Sequence, residues 1–539
     1  MTTWRRVNDE EQWQGIKQAV ALGLASLFVG AAWMVSSRET SCEAKVDDDE
    51  DKFTPEERKA LPAPGQVNNL KLYTKAEVAQ HISREAGGIW VTYKDGVYDI
   101  TEFIESHPGG ASKILLAAGK AIDPYWNIFQ QHFRTGFPLQ LLESMRVGSL
   151  APGEYVEEKQ ADPYAVDPIR DERLILHNSA PCNAEIPEHY IMESYLTPNE
   201  LWFVRHHNPV PIIDPNNYTL TIKGKLQEKF PKHEVDVTIQ CSGNRRSHFD
   251  GVKKAQGIPW NMGGVSTARF GGARLKDVLE YCGVKDPEKN GIHHVQFISQ
   301  DEMLASIPIE KAFSYSGDVL LAYEMNGEEI PTDHGYPVRA VVPGYVGVRN
   351  VKWVKEVFVS EQEAEGPWQR GVAYKGFASN ITDLQHLPTH VIERAAPVQE
   401  PPVTSLIVHP ANNAKVHSQT LEVRREDVRV RVTGEQLKGW AYSGGGRGIV
   451  RVEVSIDGGK SWHTAELKEG SEQKLTRAWA WTFWSANVEV PKELQGKSSE
   501  IMCRATDASY NSQPEHASSI WNVRGLCNTA WHRKTVHFD

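Results

Sequence analysis

Cysteine is scarce. The 539 residues include six (Cys42, Cys182, Cys241, Cys282, Cys503 and Cys527) and no CxxC pair, which excludes a disulfide scaffold and leaves any chemically active cysteine to act singly. Positive charge is also short: 59 Lys and Arg face 70 Asp and Glu, for a net charge of −11 without a long basic tract. No nucleic acid is therefore expected as a partner. Neither GxGxxG nor a Walker lysine motif occurs, so a nucleotide site of the usual kind is not indicated. No repeat of fixed period suggests a solenoid. Long uncharged runs are missing except for one, residues 18–37 between Lys17 and Arg38, so a polytopic membrane protein does not fit. What remains is a globular composition, 40% hydrophobic and 24% charged, with length for roughly three or four domains.

The uncharged stretch 18–37 is about long enough to span a hydrocarbon core as a helix. Basic residues precede it and an acidic run, Glu43 to Asp51, follows. Residues 1–65 therefore read as a targeting segment with an acidic linker, with a retained anchor as the alternative. Two further breaks, at 151–165 and 396–404, are rich in Pro, Gly or charge and mark linkers. Three globular pieces are left, at 68–150, 166–395 and 405–539.

In the first piece, GIWVTYKDGVYDI reads as two strands joined at Lys94-Asp95-Gly96. His107 then stands before Pro108-Gly109-Gly110, a rigid segment that lets backbone approach a flat ligand, and His132 follows twenty-five residues later. Between them lie helical stretches carrying Trp126, Ile128 and Phe129. Two imidazoles flanking apolar residues suit iron. The HPGG motif, its preceding hairpin and the second His resemble the cytochrome b5 family. That resemblance implies one haem b with His107 and His132 as axial ligands, a centre that passes electrons.

The second piece alternates short apolar runs such as TLTIKG and VDVTIQ with glycine-rich loops, an α+β pattern. Cys241 opens CSGNRRS at the end of VDVTIQ, where Arg245 and Arg246 favour a thiolate, the form that ligates a soft metal. A buried structural cysteine is the plain alternative. FVRHHNPVP, DHGYPVR and GVRNVKW gather Arg205, His206, His207, His334, Arg339, Arg349 and Lys352 in loops. An acidic protein that concentrates cations this way is expected to bind a polyanion such as a phosphate ester.

Taken in order, CSGNRRS, FVRHH, GVSTARFGGARL, LLAYEMNGE, DHGYPVRAVVPG and YKGF resemble the molybdenum domain of the sulfite oxidase family. The resemblance implies a molybdenum-molybdopterin cofactor with Cys241 on the metal. It assigns the pterin and its phosphate to Phe203, Val204, Arg205, His206, His207, Asp301, His334, Arg339, Asn350, Val351 and Lys352. It assigns the substrate pocket to Arg205, Arg246, Trp260 and Tyr374. Two positions depart from the family's usual residues, His206 where Asn is common and Asn261 where Arg is frequent.

In the third piece, VRVRV, IVRVEVSIDGGKSW and WAWTFW alternate in strand fashion around turns, which suggests an immunoglobulin-like β-sandwich. GWAYSGGGR, RAWAWTFW and WNVRG again resemble the sulfite oxidase family. The match implies a homodimer formed through this domain and places Arg524 at the oxyanion pocket. The expected fold is thus α+β: a small cytochrome b5-like haem domain, a mixed α+β molybdopterin domain and a carboxyl-terminal sandwich. The expected activity is oxidation of sulfite to sulfate, with electrons passing through haem to cytochrome c in the mitochondrial intermembrane space. The alternatives are a nitrate reductase-like molybdoenzyme and a haem electron carrier with an inactive molybdenum domain.

Overall fold

The structure, a computed structural model, describes residues 71–104, 114–128, 132, 137–155, 162–220, 229–382, 384, 387–416, 420–425, 428–433 and 435–538. The stretch 18–37, His107 and part of TLTIKG lie outside the described residues. Among the described residues no helix is long and apolar enough to cross a membrane. The chain divides into two units. One runs to Asp167 and takes in His206–Ile212; the other comprises Pro168–Arg205 and Ile213–Asp539.

The first unit is built on a sheet of β1 (Lys71–Tyr73), β2 (Ile82–Ser83), β3 (Gly88–Tyr93), β4 (Gly96–Asp99) and β5 (Arg146–Leu150), in the order β1-β5-β4-β3-β2. The expected hairpin is β3–β4, with Lys94 in the left-handed region (φ 51°) at its turn. A helix at Lys75–Val78 starts at Thr74, whose side chain and Glu77 cap each other reciprocally, satisfying two backbone donors at once. Ile89, Val91, Tyr98, Ile100, Ile104, Ala117, Ile122, Trp126 and Leu142 make its core.

In the second unit, β6 (Ile175–Ser179), β7 (Cys182–Glu185) and β8 (Val204–Arg205) form one small antiparallel sheet. A larger sheet contains β9 (His233–Gln240) and β10 (Val265–Arg274). A third has β11 (His294–Ser299) between β12 (Leu304–Pro308) and β16 (Val354–Ser360). The larger sheet is completed by β13 (Leu320–Met325), β14 (Glu328–Glu329) and β15 (Arg339–Val341). A helix at Leu275–Tyr281 buries Leu275, Val278 and Leu279 against Val295, Phe297, Ala305 and Ile307. Strands β9 and β10 pair up to Gln240–Val265, so Cys241 is the first residue beyond the ladder.

Residues 404–538 carry two larger antiparallel sheets. One is ordered β17 (Thr404–His409), β21 (Glu435–Tyr442), β25 (Thr482–Val488), β24 (Glu466–Leu467). The other has β18 (Ala414–Val416), β27 (His532–Phe538), β26 (Lys497–Asp507), β22 (Ile449–Ser455) and β23 (His463–Thr464), with β18 joined in parallel. A separate hairpin pairs β19 (Thr420–Arg425) with β20 (Val428–Thr433).

The four-stranded sheet is apolar on both faces, because alternate residues of a strand point to opposite sides. Ile407, Leu437, Ala441, Trp484 and Ala486 pack with Val452, Val454, Ile501 and Ala505 of the five-stranded sheet. Leu406, Trp440, Tyr442 and Phe483 face the other way and, with Trp481, join Cys182, Ala184, Ile186 and Ile191. The WAWTFW pattern thus serves three cores, since Trp479 joins Trp202, Phe203 and Cys241, although its strand begins only at Thr482.

Candidate functional site

Past the end of β9 the backbone turns sharply. The Cys241 N–H donates to Gly264 O (2.8 Å), Asn244 N–H returns to Cys241 O (2.9 Å), and Gly264 N–H donates to Asn244 Oδ1 (3.1 Å). This holds the thiol, buried, in a wall that includes Trp202, Phe203 and Trp260. Arg245 adopts a left-handed conformation (φ 64°), and the two adjacent arginines have different partners. Arg245 Nη1 donates to Ala530 O (2.7 Å), fastening the loop to the segment just before β27. Arg246 is buried, donates to Arg524 O (3.0 Å) and Ile258 O (2.7 Å), and is close enough to Cys241, Arg205 and Tyr374 for each to perturb its charge.

Three glycines make room for Arg246. A Cβ at Gly243, Gly257 or Gly525 would stand 2.4, 2.8 or 2.5 Å from its side chain, so the Ser-Gly of CSGNRRS is a steric requirement. Burial, then Arg205, lowers the Arg246 pKa, while Cys241 and Tyr374 oppose the shift. Burial raises the Tyr374 pKa against the pull of Arg205, keeping the phenol protonated as a donor at neutral pH. Trp260 is fully buried and meets Phe203 edge-on at 6.3 Å.

A second group lies around residues 333–352. His334 Nε2 donates to Asn199 O (3.0 Å), and burial lowers its pKa to about 3, so the ring is neutral. Arg339 donates to His334 O (2.9 Å) and Asn350 O (3.2 Å) and lies over the Phe270 ring. Burial lowers its pKa to about 9, leaving it charged at neutrality. Asn350 ties its own loop by accepting from Val342 N–H (2.7 Å) and donating to Val346 O (3.1 Å). Val351 is buried beside it. Lys352 Nζ donates to Asp333 O (2.8 Å) and Arg205 O (3.4 Å), joining the two groups. Burial lowers its pKa to about 7, opposed by Asp333 and Asp301. Arg170, which sequence reasoning missed, grips Asp333 with two 2.9 Å bonds.

Arg349 is not available to an anion. It is fully buried and donates to Val398 O, Trp368 O and Gln369 Oε1. Arg245 likewise belongs to the fold. Phe203 and Val204 are buried at β8, and Asp301 is half-buried, receiving the Ser299 hydroxyl. His206 and His207 fall in the first unit's share of the chain, the former buried and the latter half-buried. In that unit the His132 ring stacks on buried Trp126 (4.8 Å between centroids, planes 6° apart), and Trp126 meets Tyr93 at 4.9 Å.

Unsatisfied polar atoms test whether a cofactor fits. Among the described residues, Gln240 Oε1, Ser242 Oγ, Asn244 Nδ2, Trp260 Nε1 and Arg339 Nε are buried without a hydrogen-bond partner. Buried polar atoms are rarely left this way. Here they flank a thiol and a set of buried cations, the donors that a metal-bound pterin phosphate requires. An imidazole braced by an indole in an apolar core fits haem iron equally well.

Three family models match: a cytochrome b5-like heme/steroid binding domain at 74–151, an oxidoreductase molybdopterin binding domain at 207–368 and a Mo-co oxidoreductase dimerisation domain at 395–539. Together with the thiol and its cations they define the class, a molybdopterin oxidoreductase with a haem module. Sulfite oxidase from Gallus gallus is 45% identical over 482 residues, covering 86% of this chain and 99% of that one. Mitochondrial sulfite oxidase from Homo sapiens is 42% identical, covering 86% and 84%. This chain belongs to the sulfite oxidase family. A nitrate reductase from Phaseolus vulgaris is 35% identical over 66% of this chain but only 41% of its own length. The sulfane dehydrogenase SoxCD structure from Paracoccus pantotrophus (TM-score 0.52, 24% identity, 71% and 94% covered) shares the fold.

Proposed function

We propose that this chain oxidises sulfite to sulfate, and that Cys241, Arg205, Arg246, Arg524, Trp260 and Tyr374 form the site. The single observation that supports this most is the buried Cys241 thiol next to Arg246, with Arg205 and Tyr374 in electrostatic reach. When bound, the molybdenum cofactor supplies the oxygen atom and accepts the two electrons. Cys241 holds the metal. Phe203, Val204, Arg205, Asp301, His334, Arg339, Asn350, Val351 and Lys352 hold the pterin and its phosphate.

Sulfite is a small doubly charged anion near neutral pH, and guanidinium forks match its oxygens with charge-assisted bonds. Arg205, Arg246 and Arg524 bind and neutralise it. Tyr374, protonated, donates a hydrogen bond to the reacting oxygen, and the Trp260 wall keeps water out. His107 and His132 hold haem b, which carries electrons singly. We infer cytochrome c as the acceptor, a homodimer through residues 405–539, and a mitochondrial location in the intermembrane space. The relatives' mitochondrial names support the compartment. Two antiparallel sheets sharing one core support an immunoglobulin-like sandwich there. We assign residues 1–65 to targeting, 68–150 to the haem domain, 151–165 to a linker and 166–395 to the molybdenum domain.

The test is sulfite-dependent reduction of cytochrome c by the purified chain, with metal analysis. Wild-type protein should carry one molybdenum and one haem per chain and turn over. Molybdenum-replete protein inert toward sulfite would overturn the reading.

A further inference from the structure

Strand β7, Cys182–Glu185, is buried along its whole length, yet half of it is polar. The alternation explains why. Cys182 and Ala184 join the apolar cluster shared with Trp440 and Trp481, while Asn183 and Glu185, two residues apart, share the opposite face.

Each of the two polar side chains holds one wall of the anion pocket. Asn183 is the cross-strand partner of Arg205. Its Oδ1 accepts from Arg205 Nη1 (2.9 Å), and its own amide is pinned by donating to Pro181 O (2.8 Å). Glu185 accepts from the backbone N–H groups of Asn261 (3.1 Å) and Gly263 (3.0 Å), from Asn261 Nδ2 (2.8 Å) and from His177 Nε2 (2.9 Å). It thereby ties down the loop that begins with Trp260. The His177 ring meets the Trp260 indole edge-on at 5.2 Å. Asn261, which also receives the Ser247 hydroxyl (2.9 Å), is an anchor of this network.

We propose that Asn183 and Glu185 are positioning residues that set the spacing between the Arg205 guanidinium and the Trp260 wall, and so the affinity of the pocket for its oxyanion. The proposal rests on the sulfite reading above. Neither residue touches the substrate. Both act through strand β7, a rigid ruler packed on its far side by tryptophans. Loss of either leaves the thiol and its metal in place but loosens the fit of the anion.

Full-length holoenzyme variants test this by steady-state sulfite kinetics, with sulfate as a competitive probe. Asn183→Ala should raise the KM for sulfite and the Ki for sulfate in parallel, each about tenfold, with kcat within about threefold and molybdenum content unchanged. Glu185→Gln, a near-isosteric change that sets an amide N–H against the Gly263 and Asn261 donors, should raise both several-fold. It decides the question alone where Asn183→Ala yields no folded holoenzyme. Unchanged KM and Ki at full molybdenum content would overturn the proposal, as would a fall in kcat and metal content with KM constant. An inactive wild type would instead defeat the underlying sulfite reading.

Discussion

Two adjacent arginines show how much of a site depends on backbone geometry. Sequence reasoning saw Arg245 and Arg246 as equal sources of charge. Arg245, in its left-handed conformation, bonds Ala530 O, while Arg246 bonds Arg524 O and Ile258 O and lies within electrostatic reach of Cys241, a choice composition does not encode. Arg349, expected in an anion-binding loop, turns instead onto Val398, Trp368 and Gln369. Cys241 and Tyr374 stand out in the sequence because they sit in the motifs CSGNRRS and YKGF, whereas Trp260 lies outside such a motif. Asn183 and Glu185 do not stand out, since their roles appear only when β7 is aligned with β8 and the 260–263 loop. Gly243 carries a direct test. Its Ala variant forces the Arg246 guanidinium aside, and the KM for sulfite should rise about tenfold or more while haem content stays constant. Buried histidines set the acid limit. Burial lowers the pKa of His334 and His248 to about 3 and that of His532 well below its ordinary value. The unfolded chain therefore binds protons below pH ~6.5 that the fold refuses. Stability should be lost as pH falls from ~6.5 toward 3, and denaturant midpoints at successive pH values measure it. His248→Phe should flatten that dependence.

Among the elements, the hairpin β3–β4 and strands β9, β20 and β22 were readable from alternation and turn residues. What the pattern does not show is where each face of a strand with apolar residues on both sides goes. The four-stranded sheet resolves this by packing both faces, with Trp484 toward its partner sheet and Trp440 toward the strand that carries Asn183 and Glu185. Trp440→Ala should cost about 3–5 kcal/mol in unfolding free energy, as large-to-small changes in a close-packed core do. If Trp440 also supports the ruler strand, sulfite KM should rise in whatever protein remains folded. An unfolding midpoint close to wild type would show that the two layers are not welded through this residue.

For the whole molecule, the chain joins a haem module suited to single electrons with a pocket suited to a two-electron reaction, and the family models match those parts in that order. Sedimentation should find a homodimer of twice the 60.5 kDa chain mass, less any segment removed from the amino terminus. A monomer at micromolar concentration would count against the assigned role of residues 405–539. The most direct trial mixes sulfite rapidly with oxidised, metal-loaded protein and follows the haem absorbance, comparing wild type with Cys241→Ser. Wild-type haem should become reduced within a turnover and the variant's should stay oxidised. Equal haem reduction in both would contradict the role given to the Cys241 sulfur.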